Sequence, residues 1–337
     1  MNSAADILPT HTPALFQTAV REAACALGAG EVVALPTETV YGLAANALDA
    51  RAVAHIYEIK GRPANNPIIV HVASLDLARQ CVRDWPPLAR RLSDAFWPGP
   101  LTLVLPRSPA IPDIVTAGGD TVGVRWPSHP LMQAVIRACG FPLAAPSANP
   151  SNEISPTNAA HVRKQLGERI RLIVDGGQAQ VGIESTVVDL TVQPPRLLRP
   201  GMIHEESLLA VTGELAVGPA DGEGGRLRSP GQLPRHYAPR ARLLIFFWAD
   251  ESALVRQLAN ARALPATTHI ITHTHIPLSG GYARVSVIPH DAEAFARALY
   301  AELHACDEAG AQCIVVEAPP EGPEWRGVWD RLRRAAA

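Results

Sequence analysis

The chain has 337 residues, of which 47% are hydrophobic and 18% charged, and its formal net charge is -2. That length holds two ordinary domains, and the composition excludes a disordered chain. The near-neutral balance gives no global field for gathering nucleic acid, so such a role would need a local basic patch. Cys25, Cys81, Cys139, Cys306 and Cys313 form no C-x-x-C pair. That scatter argues against a disulfide framework or zinc knuckle and fits a reducing cytoplasm. The opening "MNSAADILPTHTPALF" lacks the basic start and apolar run of a signal peptide. No window approaches the roughly 18 uninterrupted apolar residues of a membrane span.

Thr12 and Pro13 open the first predicted helix, a hydroxyl cap followed by a proline whose missing N–H costs nothing there. "EVVALPT" (31–37) predicts a buried strand, and "AVAHIYEIKG" (52–61) a helix stopped by glycine. "PIIVHV" (67–72) predicts a strand, "PPLARRLSDAF" (86–96) a helix, and "LTLVL" (101–105) and "TVGVRW" (121–126) further strands. Ser128 is expected to cap a helix carrying Leu131 and Val135, and Ser155-Pro156 to open another that ends at Gly167. Strands follow at 171–177, 185–190 and 196–201. Alternating and then clustered strands predict an α/β fold with a mixed sheet.

Residues 213–232 are rich in Gly, Pro and charge without apolar periodicity, and read as an interdomain linker. A second, small open α/β unit starts at "ARLLIFF" (241–247). In it Asp250 and Asp291 cap helices, "THIIT" (268–272) and "QCIVVEA" (312–318) are strands, and a last helix begins near Glu324. Neither unit carries a G-x-G-x-x-G or Walker loop.

Polar residues that look out of place cluster in the first 200 positions, mostly where strands end, which is where open α/β sheets hold ligands. They include "PTETVYGL" (36–43), "KGRPANN" (60–66), Arg125, "SAN" (147–149), "GIESTVV" (182–188) and Arg199. Cations with hydroxyls and amides, and no acidic cage, suit an anionic small molecule. Each also has a plain structural reading. Lys60 and Arg62 fit a helix C-terminal charge pair. Ser147 and Ser155 fit turn caps, Arg125 and Arg199 exposed strand ends, Tyr41 a packing residue and His71 a half-buried imidazole. Asp175 before Gly176-Gly177 reads as an ordinary turn. His273 and His275 form an H-x-H that can bind metal, but without a third ligand nearby they read as a surface loop.

In order along the chain, "LPTETVYGL", "KGRPANNPIIVHV", "WPGPLTLVL", "VGVRWPSHP", "APSANPSNEISPT", "GIESTVVDL" and "LLRPGMI" resemble the YrdC/Sua5 family of threonylcarbamoyl-AMP synthases. "SPGQLPRHYAPRARL" (229–243) and the second α/β unit resemble its longer Sua5 form. The resemblance implies a YrdC-like twisted mixed-sheet catalytic domain at 1–210. It implies a linker at 211–240 that closes over the active site, and a Rossmann-like open α/β Sua5 domain at 241–337. It implies an enzyme joining L-threonine, bicarbonate and ATP into threonylcarbamoyl-adenylate with release of pyrophosphate. The product would feed N6-threonylcarbamoyladenosine formation in tRNA, through a downstream threonylcarbamoyl-transfer machinery.

Carried over by motif, Thr39, His71, Arg125, Ala145 and Ser185 would hold threonine. Lys60 and Arg62 would be catalytic, facing ATP phosphates or bicarbonate together with Asn66. Thr121, Ser147, Asn149, Ser155 and Arg199 would line the nucleotide, and Tyr237 would fold back over it. Mg2+ would arrive with ATP, with no metal held by the protein itself. Leu233-Pro234 departs from relatives that carry an aromatic or basic residue there. No membrane contact and no stable nucleic-acid binding are expected, and the location is cytoplasmic. Two other readings remain at this point: a carbamoyl-adenylate enzyme of hydrogenase maturation, and a non-catalytic RNA-binding or ribosome-associated factor.

Overall fold

The computed structural model describes residues 5–218, 227–231, 235–278 and 281–337. The Leu233-Pro234 departure and part of the expected linker lie outside them. The chain divides into Met1–Ser151 with Ser155–Gln232, and Asn152–Ile154 with Leu233–Ala337.

In the first unit β1 (Asp6–Pro9), α1 (Pro13–Gly28), β2 (Val33–Leu35) and β3 (Gly42–Asn46) lead to α2 (Ala50–Lys60) and β4 (Val70–His71). Next come α3 (Leu75–Cys81), α4 (Pro87–Phe96), β5 (Leu101–Pro106), β6 (Thr121–Arg125), α5 (Pro130–Cys139) and β7 (Leu143–Ala144). The unit continues through α6 (Ala159–Leu166), β8 (Leu172–Asp175), β9 (Thr186–Asp189), β10 (Arg196–Arg199), α7 (Glu205–Thr212) and β11 (Ala216–Val217). These strands form one mixed sheet in the order β1-β8-β2-β3-β7-β4-β6-β5-β9-β10-β11. β4/β6 and β5/β9 run parallel, whereas β5/β6 and β9/β10 run antiparallel.

Side-chain alternation explains the sheet's two faces. Leu101, Leu103 and Leu105 of β5, Val122 and Val124 of β6, Val188 of β9 and Leu197 of β10 join one core with Ile56 of α2 and Leu92 of α4. The intervening positions, Thr102, Gly123 and Arg125, face the other way. At the far side of the sheet α1 and α5 cover β2 and β8 through Leu27, Val135, Leu35 and Val174.

Several local expectations shift. β1, β3, α3, α7 and β11 are additional elements, so residues 211–217 belong to the first unit's helix and sheet rather than to a free connection. "GLAAN" is a poor strand by propensity. It lies inside the sheet because backbones approach closely there: a Cβ on Gly42 would stand 3.2 Å from the Ala145 Cβ. His129, not Ser128, caps α5, its Nδ1 accepting from the Leu131 N–H at 3.2 Å. α6 begins after Asn158, which caps it, and not at Ser155-Pro156. Gly61 does end α2, in the left-handed conformation at φ 60.

The second unit is a parallel four-stranded sheet, β12-β15-β13-β14, made of β12 (Arg242–Phe246), β13 (Thr268–Thr272), β14 (Arg284–Val287) and β15 (Cys313–Glu317). Its helices are α8 (Glu251–Asn260), α9 (Ala292–Glu308) and α10 (Arg326–Ala336). Asp250 and Asp291 cap α8 and α9 as expected, and Phe295, Leu299 and Leu303 are buried at four-residue spacing. β14, an edge strand, went unforeseen. Among the described residues no helix is long and apolar enough to cross a membrane.

Candidate active site

The turn leaving β2 is tied by its own hydroxyls. Thr37 Oγ1 accepts from the N–H groups of Thr39 (3.2 Å) and Val40 (3.3 Å) and donates to the Val40 carbonyl at 2.6 Å. With that proton committed, the 2.9 Å contact between the two hydroxyls has Thr39 Oγ1 as donor. Thr39 Oγ1 in turn accepts from Arg125 Nη1 at 2.9 Å. Arg125 Nη2 lies 2.8 Å from Glu38 Oε1, and both side chains are under 10% exposed (4% and 8%). Burial pushes the Glu38 carboxyl up, but the Arg125 guanidinium and the Ser128 N–H outweigh it and hold the carboxyl below its ordinary value.

His71 is the register partner of Arg125 across β4 and β6. Burial lowers its pKa to about 3, and the neighbouring Arg125 charge adds to the effect, against Glu38 and the Ile69 carbonyl. The imidazole is therefore neutral, and its buried Nδ1 meets no partner among the described residues. A buried polar atom left over beside a fixed guanidinium is a position for a ligand to complete.

A second cluster joins the neighbouring strands. Ser185 Oγ lies 2.8 Å from Thr102 Oγ1 and accepts from Arg199 Nη2 at 3.1 Å. Arg199 Nε also donates to the Ser185 carbonyl at 2.9 Å. Plain alternation would aim Arg199 into the core, two residues after Leu197. A register shift between them instead sets Leu197 opposite Val188 and Arg199 opposite Val187. This bulge turns the guanidinium to the face that carries Ser185 and Arg125. Beside it Ser155 Oγ donates to Glu184 Oε1 at 2.6 Å. Residues 227–231 reach the same region. Arg228 Nη1 bonds Asp189 Oδ2 (3.1 Å) and Thr191 Oγ1 (2.9 Å), Arg199 Nη1 donates to the Pro230 carbonyl at 3.3 Å, and the Leu227 N–H meets the Asn65 carbonyl.

The third cluster is the cationic loop. Lys60, the last residue of α2, is 3% exposed. Its Nζ donates to the carbonyls of Ser147 (2.6 Å) and Asn149. Arg62 clamps the following turn, with Nε on the Asn66 carbonyl (2.9 Å) and Nη2 on Asn66 Oδ1 (2.8 Å). Asn66 is fully buried, and its Nδ2 has no partner among the described residues. Lys60 thus ties the end of α2 to the 147–149 loop, whereas Arg62 holds its own turn.

Loop contacts connect the clusters. The Val181 and Gly182 N–H groups donate to the Glu38 and Thr39 carbonyls, and the Ala148 N–H donates to the Tyr41 carbonyl. The Ala145 N–H donates to the Ile69 carbonyl at 3.1 Å. Tyr41 is a packing residue, as the plain reading has it, with its hydroxyl bonded to the Gly177 carbonyl at 2.7 Å. Thr121 stands at the opposite end of β6 from Arg125, roughly 13 Å along the strand at about 3.3 Å per residue. Tyr237 belongs to the second unit, edge-on to His236 at 4.0 Å and under the Arg331 guanidinium at 5.5 Å. His275 Nδ1 pairs with Glu317 at 2.7 Å, so the H-x-H pair is not a chelate.

Sequence reasoning quoted Glu38 and Glu184 without giving them roles, and it missed Thr102. The one available signal for Thr102 was a hydroxyl at a period-2 position inside "LTLVL". The bulge at Leu198 left no signal at all.

Residues 25–201 match a family model described as "Telomere recombination", and residues 203–337 match "Threonylcarbamoyl-AMP synthase, C-terminal domain". The chain is 40% identical over 324 residues to the threonylcarbamoyl-AMP synthase of Pyrococcus abyssi, with 94% of each chain covered. It is 41% identical over 338 residues to that of Bacillus subtilis, covering 98% of this chain and 95% of the relative. The solved structure of P. abyssi Sua5 complexed with L-threonine aligns with a TM-score of 0.89 at 37% identity, over 99% of this chain and 98% of that one. With both family models matched in order along the chain, it belongs to the Sua5/YrdC threonylcarbamoyl-AMP synthase family, in the long form that carries a Sua5 C-terminal domain.

Proposed function

We infer that the chain is an L-threonylcarbamoyladenylate synthase: L-threonine, bicarbonate and ATP give L-threonylcarbamoyl-AMP, pyrophosphate and water. The observation that carries this reading is the Arg125 site. A buried guanidinium, fixed by Glu38 and Thr39, stands beside a neutral His71 whose Nδ1 has no partner among the described residues. Such a site suits a small carboxylate that also bears a hydroxyl or amine. The P. abyssi relative's complex with L-threonine supports the same assignment.

In this reading Arg125 takes the threonine carboxylate, and Thr39, Ser185, His71 and the Ala145 carbonyl orient the remainder. The free amine attacks the carbon of CO2 or bicarbonate to give a carbamate. A carbamate oxygen then attacks the α-phosphorus of ATP, and the bond to the β-phosphate bridging oxygen breaks as pyrophosphate leaves. Every reactant is anionic, so Lys60, Arg62 and Arg199 act chiefly by relieving repulsion and fixing the line of attack. Asn66, Ser147, Asn149, Ser155 and Thr121 line the nucleotide in this assignment, and Tyr237 closes over it. The donor set of cations, hydroxyls and amides fits the triphosphate. Mg2+ accompanies ATP and neutralises part of its charge. The free cysteines fit a reducing, cytoplasmic setting; in this reading the product passes to a tRNA-modifying transferase.

The test is pyrophosphate release by the purified chain. Release that requires threonine and bicarbonate together supports the reading. Release indifferent to either one rejects it and favours a different adenylyl acceptor.

A further inference from the structure

The second unit holds a cluster that the synthase reaction does not use. At the C-terminal end of β13, His273 Nδ1 lies 2.8 Å from His290 Nδ1. Thr274 Oγ1 lies 2.9 Å from the first and 3.0 Å from the second. Among the described residues no group of three or more His, Cys, Asp or Glu side chains converges on a metal position. Here the third donor is a hydroxyl.

Three donors at these separations match one face of an octahedron. With metal–nitrogen bonds of about 2.0–2.1 Å and right angles between them, adjacent donors stand about 2.8–3.0 Å apart. Proton placement agrees. His273 Nε2 is 3.2 Å from the Ala318 carbonyl, which can only accept, so that nitrogen carries the hydrogen and Nδ1 is bare. A ligating imidazole whose other N–H is held by a carbonyl is the usual arrangement around bound metal.

The donors are also pre-positioned. The N–H groups of His273 (2.7 Å), Thr274 (2.9 Å) and His275 (3.1 Å) all donate to the Glu317 carboxylate at the end of β15. Phe295 meets the His273 ring edge-on at 5.7 Å, and Trp325 stacks on it at 6.0 Å. His290 sits one residue before Asp291, the cap of α9. Thr274 and His290 are exposed, so water can fill the remaining coordination positions.

We propose that His273 Nδ1, His290 Nδ1 and the Thr274 hydroxyl form a binding site for a late first-row divalent metal ion, one that clips the loop after β13 to the loop before α9. Binding displaces water from the ion, and the His290 proton moves from Nδ1 to Nε2. Imidazole ligands favour Ni2+, Cu2+ and Zn2+ over Mg2+, so this site is separate from any ion carried by ATP.

The test is calorimetric titration of the full chain with Ni2+, and separately with Zn2+, in excess Mg2+. One saturable ion per chain is expected, with a raised unfolding temperature for the second unit. His273→Gln and His290→Gln should each weaken binding by about tenfold or more. His290 is exposed, so its substitution leaves the fold intact. His275→Gln should keep the ion, because that imidazole is committed to Glu317. Absence of a saturable ion overturns the proposal. So does full binding in His290→Gln, or competition by Mg2+ at equal concentration.

Discussion

His71 offers a prediction whose size follows from its surroundings. Its folded pKa is about 3 against an ordinary value of 6.5, because burial and Arg125 both disfavour the imidazolium. Between those two values the unfolded chain binds a proton that the folded chain refuses. The sign is therefore fixed: this contribution is fully present above pH 6.5 and is lost as the pH falls toward 3. At pH 5 the deficit relative to pH 8 is about 2 kcal/mol, from RT ln(1 + 10^1.5). His71→Gln removes the titration and keeps a neutral polar side chain. Urea unfolding at pH 8 and pH 5, on wild type and variant, isolates the effect as a double difference. Wild type should lose about 2 kcal/mol more than the variant over that interval. Equal losses would refute the reasoning, as would an NMR titration placing the His71 midpoint near 6.5.

Other substitutions test the remaining clusters. Glu38→Gln leaves Arg125 buried without its counter-charge and should cost about 3 kcal/mol of stability at pH 7, read by denaturation. Because the folded Glu38 pKa is lowered, that cost should shrink as the pH falls below the ordinary carboxylate value. Thr102→Val takes away one of the two partners of the Ser185 hydroxyl and should raise the threonine KM about fivefold with kcat retained, whereas Thr102→Ser restores it. Lys60→Ala and Arg62→Ala should each lower kcat/KM by about 100-fold or more while the circular dichroism spectrum stays that of wild type. Normal turnover in both would remove these cations from the phosphate-facing role.

What was legible in the sequence was local. Gly61, Asp250 and Asp291 mark helix boundaries because capping acts within one turn. The buried face of α9 follows from residues four apart. The parts that stayed hidden depend on distant partners. "GLAAN" becomes a strand because small residues let it pack against Ala145. Ser155 looked like a helix cap, yet it bonds Glu184 across 29 positions of chain. Arg199 reaches the site face through a bulge with no sequence mark. His273 and His275 suggested a pair by spacing, whereas the fold pairs His273 with His290 and gives His275 to Glu317. Lys60, Arg62 and Asn66 stand together in the sequence, but the bonds of Lys60 to the Ser147 and Asn149 carbonyls required the folded loops.

The reaction itself is tested most directly by following the carbon. Incubation with ATP, L-threonine and 13C-bicarbonate, with products resolved by mass spectrometry and 13C NMR, should give an adenylate whose new carbonyl between the threonine nitrogen and the phosphate carries the label. ATP turnover to AMP and pyrophosphate with no label in any threonine adduct would contradict the account.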